Sequence, residues 1–103
     1  MNNNYQRALP VQWRPVSKAF TALGDEHRQR ILLTFEAGER LNVSQIVAVA
    51  SLSRSAVDHH LRVLREAQIL LSEKVGKEVY LWINKPFLLQ TLKNMRDYVK
   101  SEI

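Results

Sequence analysis

The chain has 103 residues, with 15 Lys and Arg against 10 Asp and Glu and no cysteine. That length supports a single domain with a modest core, too small for a core plus a roofed active site, and the uncharged apolar runs fall far short of the ~20 residues a membrane span needs. The net charge of +5 suits an anionic partner such as nucleic acid, but it is spread over the whole chain, so folding would have to gather selected cations onto one face.

Residues 1–15 carry three consecutive asparagines, Pro10 and Pro15, and no helical period. They read as an arm, with Trp13 able to dock on the body. The segment Met1-Asn2-Asn3-Asn4-Tyr5-Gln6-Arg7 lacks the continuous apolar stretch of a secretory signal. Together with the missing cysteines, this points to a cytoplasmic location.

From Val16 the apolar spacing turns helical. Val16, Ala19, Phe20 and Leu23 share a face and Gly24 closes this first helix. Asp25 suits the N-cap of a second helix with Ile31, Leu32 and Phe35 facing inward and Gly38 at its end. Asn42-Val43-Ser44-Gln45 has the form of a capping box, opening a short third helix that runs to about Ala50. Ser53 then N-caps a fourth helix from Arg54 to about Ala67, with Val57, Leu61 and Leu64 at helical spacing.

At Ile69 the period changes to two. Val79, Leu81 and Ile83 alternate with Tyr80 and Trp82, opposite the run Leu71 to Val75, and Gly76 supplies the turn of a β-hairpin over 70–83. Asn84 and Pro86 start a final helix striped with Phe87, Leu88, Leu92, Met95 and Val99. The order is four helices, a hairpin and a helix, mainly α with a small β-hairpin. Two short helices joined by a tight turn and followed at once by a hairpin make a winged helix-turn-helix arrangement.

Two stretches also resemble a known family. Ala22-Leu23-Gly24-Asp25-Glu26-His27-Arg28-Gln29-Arg30-Ile31-Leu32 is similar to the "ALADPTRLRIL" opening of ArsR/SmtB-type repressors. The run from Leu52 to Ala67, with Ser53-Arg54-Ser55-Ala56-Val57-Asp58-His59-His60-Leu61 at its heart, resembles their "LSQSTVSHHLKVLREAG" helix. The likeness covers about Val16 to Met95 and implies a dimeric winged-helix repressor that binds double-stranded operator DNA and is released by a small effector. In such proteins the first and last helices pair across the dimer, the fourth lies in the major groove, and the hairpin follows the backbone. Residues 16–103 would then form the DNA-binding and dimerisation domain.

Three departures from the family pattern carry information. Where its thiolate motif reads "ELCVCDL", this chain has Arg40-Leu41-Asn42-Val43-Ser44-Gln45-Ile46, with Asn42 and Ser44 in place of the cysteines, which excludes a soft-metal thiolate site there. The family's second metal site uses Asp and His on the last helix, yet residues 85–103 contain no histidine. No metal and no cofactor is therefore expected. The glycine that ordinarily ends the fourth helix is replaced by Gln68, at a strain of about 1 kcal/mol if the geometry is kept.

With Val57, Leu61 and Leu64 facing the core, Ser53, Arg54, Ser55, Asp58, His59 and Arg62 lie on the solvated face and are the candidate DNA contacts. Arg54, at the end that enters the groove, can donate twice to guanine O6 and N7, while Asp58 can accept from cytosine N4. His59 offers a neutral or cationic hydrogen-bonding group, and Arg62 is placed for phosphate. Ser44 and Gln45, at the start of the third helix, suit another phosphate. Lys74 and Lys77 flank the hairpin tip, beside Glu73 and Glu78. His59 and His60 diverge by about 100° on a helix and cannot close on one metal ion. His60 reads as a half-buried packing residue. Phe20 with Leu88, Leu92, Met95 and Val99 is the candidate homodimer surface.

A winged-helix module that meets a protein partner instead of DNA is the alternative, and steep salt dependence of duplex binding separates the two. Catalysis needs a nucleophile–base pair or a metal, and the sequence places neither in a plausible pocket. A small-molecule effector is compatible with the sequence, which does not identify one.

Overall fold

In the computed structural model, which describes residues 1, 3–5 and 8–103, helical structure begins earlier than the apolar spacing indicates. A 3₁₀ turn over Val11–Trp13 leads directly into α1 (Arg14–Leu23). Pro15 sits in the first turn of that helix, where its missing N–H has no partner to lose and its fixed φ already matches the helix. The arm expected over 1–15 is thus structured from Val11, and residues 2, 6 and 7 of it lie outside the described residues.

Asp25 caps α2 (Glu26–Leu32), its Oδ1 accepting from the Arg28 amide at 3.1 Å. This helix ends six residues before the expected Gly38. The Thr34 and Phe35 amides bond back three residues, to the carbonyls of Ile31 and Leu32, and the Thr34 hydroxyl donates to Ile31 at 2.6 Å, which tightens and closes the helix. Gly38, at φ +73°, serves the loop instead.

After that loop comes a two-residue strand that the sequence reading did not foresee, β1 (Leu41–Asn42). It runs straight into α3 (Val43–Val49), capped as anticipated: Asn42 Oδ1 accepts from the Gln45 amide and Gln45 Oε1 accepts from the Asn42 amide, both at 2.8 Å. Ser53 Oγ accepts from the Ala56 amide to start α4 (Arg54–Glu66). The hairpin strands β2 (Leu70–Val75) and β3 (Glu78–Ile83) follow, then α5 (Lys85–Glu102), whose cap Asn84 accepts from the Phe87 amide. Among the described residues the strands form one antiparallel sheet ordered β1-β3-β2.

The core gathers one stripe from each layer: Ala19 and Ala22 of α1, Ile31 of α2, Ile46 of α3, Val57, Leu61 and Leu64 of α4, then Ile69, Leu70 and Leu81. Arg28 binds three helices at their junction. Its Nε donates to the Ala22 carbonyl at 2.6 Å, Nη2 to that of Thr21 at 3.4 Å, and Nη1 approaches His60 Nδ1 at 3.3 Å. The guanidinium thus donates to the Ala22 carbonyl near the end of α1, adds a second donor to the Thr21 carbonyl beside the Gly24 amide, and also reaches α4.

Gln68 keeps the geometry that a glycine would ordinarily supply. Its φ is +65°, the one positive value at a non-glycine among the described residues. The Gln68 amide donates to the Arg65 carbonyl and the Ile69 amide to that of Leu64, each at 3.0 Å, and Ile69 packs with Leu64 in the core. These are the two bonds and the apolar contact of a Schellman cap. Asn84 Nδ2 donates to the Gln68 carbonyl at 3.0 Å, so the start of α5 braces the strained residue.

Candidate nucleic-acid interface

Helix α4 divides cleanly. Val57, Leu61 and Leu64 are buried, while Ser53, Arg54, Ser55, Asp58, His59 and Arg62 all face solvent, as their spacing requires. Between this face and β3 lies a concavity of about 470 Å³, lined by Arg54, Ser55, Asp58, His59 and Arg62 together with Val79 and Leu81 of the strand. Arg65, which the sequence reading passed over, lines it too. Helical spacing held the signal, because Arg65 stands seven residues after Asp58 and three after Arg62, one step along the same stripe. Among the described residues Arg54, Arg62 and Arg65 form no ion pair with a carboxylate. Arg62 Nη2 lies 3.4 Å from His59 Nδ1.

The hairpin register sorts the wing charges by face. Lys74 pairs with Val79, Ser72 with Leu81 and Leu70 with Ile83. Directly opposed residues point the same way and successive residues alternate, so Lys74 shares the face of Val79 and Leu81, which looks toward α4. Glu73, opposite Tyr80, and Glu78, opposite Val75, point to the reverse. There Glu73 accepts from Arg40 Nη1 at 2.9 Å. The acids that flank the wing lysines in sequence are thus turned away from them. Lys77 sits in the two-residue turn after Gly76, whose φ of +63° with no positive value at Lys77 is the type II′ pattern.

Ser44 and Gln45 are exposed at the start of α3 but do not line the α4–β3 concavity. The Gln45 side-chain oxygen is already taken by its cap bond to Asn42. Asn42, at the first position of the family's cysteine motif, is likewise committed to capping α3.

The three histidine rings form a chain from α2 across α4. The His60 ring lies 5.7 Å from that of His27 and 5.5 Å from that of His59. His60 is half-buried, as its position on α4 implies. Burial pushes its pKa below the usual 6.5, the nearby Asp25 carboxylate opposes that shift, and the Arg28 guanidinium reinforces it. Asp25 is itself held below 3.8, chiefly by the hydrogen bond from the Arg28 amide. No three metal-ligating side chains converge among the described residues.

On the opposite side, Phe20, Leu92 and Val99 are exposed, and Met95 is half-buried in a hollow of about 230 Å³ with Trp13, Val16 and Tyr98. The Trp13 ring meets that of Tyr98 edge-on, 5.1 Å between centroids, so the N-terminal segment docks on α5. Leu88 packs on the chain's own core. No helix of the described residues is long and apolar enough to cross a membrane.

The sequence model of the bacterial regulatory protein arsR family matches residues 25–71, the span from the cap of α2 to the start of β2. Over that span the chain is similar to the ArsR family. Its similarity to individual members extends further. A transcriptional repressor SmtB homolog of Synechocystis sp. is 28% identical over 90 residues, covering 87% of this chain and 67% of that protein. The transcriptional repressor SdpR of Bacillus subtilis is 23% identical over 86 residues, covering 84% of this chain and 94% of that one. An ArsR-like transcriptional regulator from Rhodococcus sp. shares the winged helix-turn-helix fold, with a TM-score of 0.80 at 24% identity over 88% of this chain and 85% of its own. The matched family is one of bacterial regulatory proteins, and the SmtB homolog and SdpR are both named as transcriptional repressors.

Proposed function

We propose that this chain is an ArsR-family transcriptional repressor that binds duplex operator DNA as a homodimer, with α4 in the major groove and the β2–β3 hairpin as wing. The observation that carries the reading is the basic concavity between them: three guanidiniums on α4 that form no ion pair among the described residues, with Lys74 of the wing on the same side and its acids turned away. Arg54 reads a guanine, Ser55, Asp58 and His59 contribute polar contacts beside it, and Arg62, Arg65, Lys74 and Lys77 hold phosphates. Ser44 and Gln45 add a backbone contact at the start of α3. The exposed Phe20, Leu92 and Val99, with Met95, meet their counterparts on a second copy, and a two-fold dimer so built offers two recognition helices about 34 Å apart, one DNA turn.

Selection of bound sequences from random duplex DNA, followed by separate substitution of Arg54 and Lys77, tests this assignment. Arg54→Ala should relax preference at one base position at a cost of about 1–3 kcal/mol, and Lys77→Ala should weaken all sequences about equally and lower the salt slope by about one. Equal effects of the two substitutions would overturn the division of roles. A dimer that binds no duplex at low salt, its own promoter region included, would overturn the repressor itself.

A further inference from the structure

On the reverse of the sheet, away from the α4 concavity, a further hollow of about 490 Å³ opens beside Trp82, bounded by Phe35, Glu36, Glu39, Arg40 and Ile83, with Lys85 as the one other charged residue of its lining. We propose that it binds a planar organic cation, which competes with the Arg40 guanidinium for the indole face of Trp82 and so regulates the wing.

The structure displays the chemistry this indole accepts. Arg40 Cζ stands 3.8 Å from the ring centroid, and its Nη1 donates to Glu73 at 2.9 Å. An aromatic face backed by a carboxylate is a recognition element for delocalised cations. The resident guanidinium is weakly held, because both partners of its ion pair are more than half exposed, where such contacts contribute little. A ligand cation stacked on Trp82 would gain, besides Glu73, the carboxylates of Glu36 and Glu39 on the loop. The hollow lies within the roughly 300–1,000 Å³ of small-molecule sites, and Phe35 and Ile83, packed against the core, give it an apolar wall.

The site also has a route to the DNA face. Arg40 immediately precedes β1, whose Asn42 caps α3, while Trp82 and Glu73 belong to the two strands of the wing. The Arg40 contacts thus tie the helix-turn-helix to the wing. A cation that takes the indole face favours the untied state; with DNA preferring the tied one, as the proposal holds, each ligand weakens the other's binding by the same factor. This coupling rests on the operator reading; the site does not.

Trp13→Phe leaves Trp82 as the sole tryptophan, and benzamidine is the probe. We expect a saturable change in Trp82 fluorescence with benzamidine and none with benzamide or benzoate. In the Trp13→Phe background, Arg40→Ala should tighten benzamidine binding about two- to fivefold, the worth of one exposed cation–π contact, because it removes the internal competitor. Glu36→Gln with Glu39→Gln should weaken it, and saturating duplex should raise its apparent Kd. If Trp13→Phe does not fold, the Trp82 indole N–H resonance of the native chain, identified through Trp82→Phe, carries the same titration. No saturable response with Arg40 present or removed, an equal response to benzamide, or weaker binding in Arg40→Ala would overturn the site. An unchanged Kd with duplex bound would overturn the coupling alone. Absence of all duplex binding would instead defeat the operator reading and the coupling with it, while the titration still decides the site.

Discussion

Helices α4 and α5 are both apolar on one side, yet they dispose of that side differently. In α4 the stripe ends inside the subunit: Val57 and Leu64 are wholly buried and Leu61 is 2% exposed. The polar side is then free to meet a ligand. In α5, which among the described residues fully buries Thr91 alone, Leu89, Leu92 and Val99 are 57%, 55% and 47% exposed. A helix of this kind leaves its hydrophobic free energy unrealised until a second surface covers it. One helix thus exposes a polar face and the other an apolar one, the two surfaces that the proposed repressor would turn to DNA and to a second copy.

The sharpest way to break the comparison is to damage both helices at leucine. Leu61→Ala should cost about 2–5 kcal/mol of folding stability, because a close-packed site cannot collapse around the lost methyls. Leu92→Glu should leave the subunit folded, within about 0.5 kcal/mol by urea unfolding of the monomer, while weakening self-association about tenfold or more in sedimentation. If Leu92→Glu unfolds the chain as Leu61→Ala does, α5 belongs to the core and the contrast fails.

A smaller effect of opposite sign is expected at the end of α4. Gln68→Gly removes the positive-φ strain but adds backbone entropy to the unfolded chain, for a net stabilisation of about 0.5–1 kcal/mol. The urea midpoint should rise with duplex affinity unchanged; a fall would mean that the Gln68 side chain, not its backbone, holds the cap.

The smallest effect concerns pH. Since His60 is depressed in the folded state, the unfolded chain takes up that proton first as the solution is acidified. The stability tied to neutral His60 is fully present above about 6.5 and is lost as pH falls through the window below it, whereas Asp25 acts only below 3.8. Unfolding midpoints between pH 7.5 and 5 should decline, and His60→Gln should flatten that decline. An unchanged slope in the variant would show that His60 does not carry it.

How much of this was legible in the sequence depended on whether the cause was local. Caps at Asn42 and Ser53 and the polar stripe of α4 follow from residues within one or two turns of each other and are legible from them, whereas the positive φ of Gln68 was signalled only by the glycine that the resembling family carries there. Pro15 misled because the same ring that breaks a helix interior suits its first turn. Strand β1 escaped because two residues carry no period of their own and are extended only through pairing with β3, some forty residues on. The same distance hid Arg40 on Trp82, and the contribution of Arg28 to α4 depends on how three helices cross. Arg65 was the miss that wider counting along the stripe would have caught.

The hairpin register has a consequence beyond shape. Glu73 and Lys74 are neighbours on opposite faces, so a slip of β2 by a single residue would turn Glu73 toward α4 and Lys74 away, and would draw Leu70 out of the core. The wing would then oppose a polyanion with a carboxylate where it now offers an ammonium. The anchoring of Leu70 and Leu81 and the two-residue length of the turn at Gly76 therefore act as a polarity setting: they determine the sign of the charge that the wing extends, with no change in its composition.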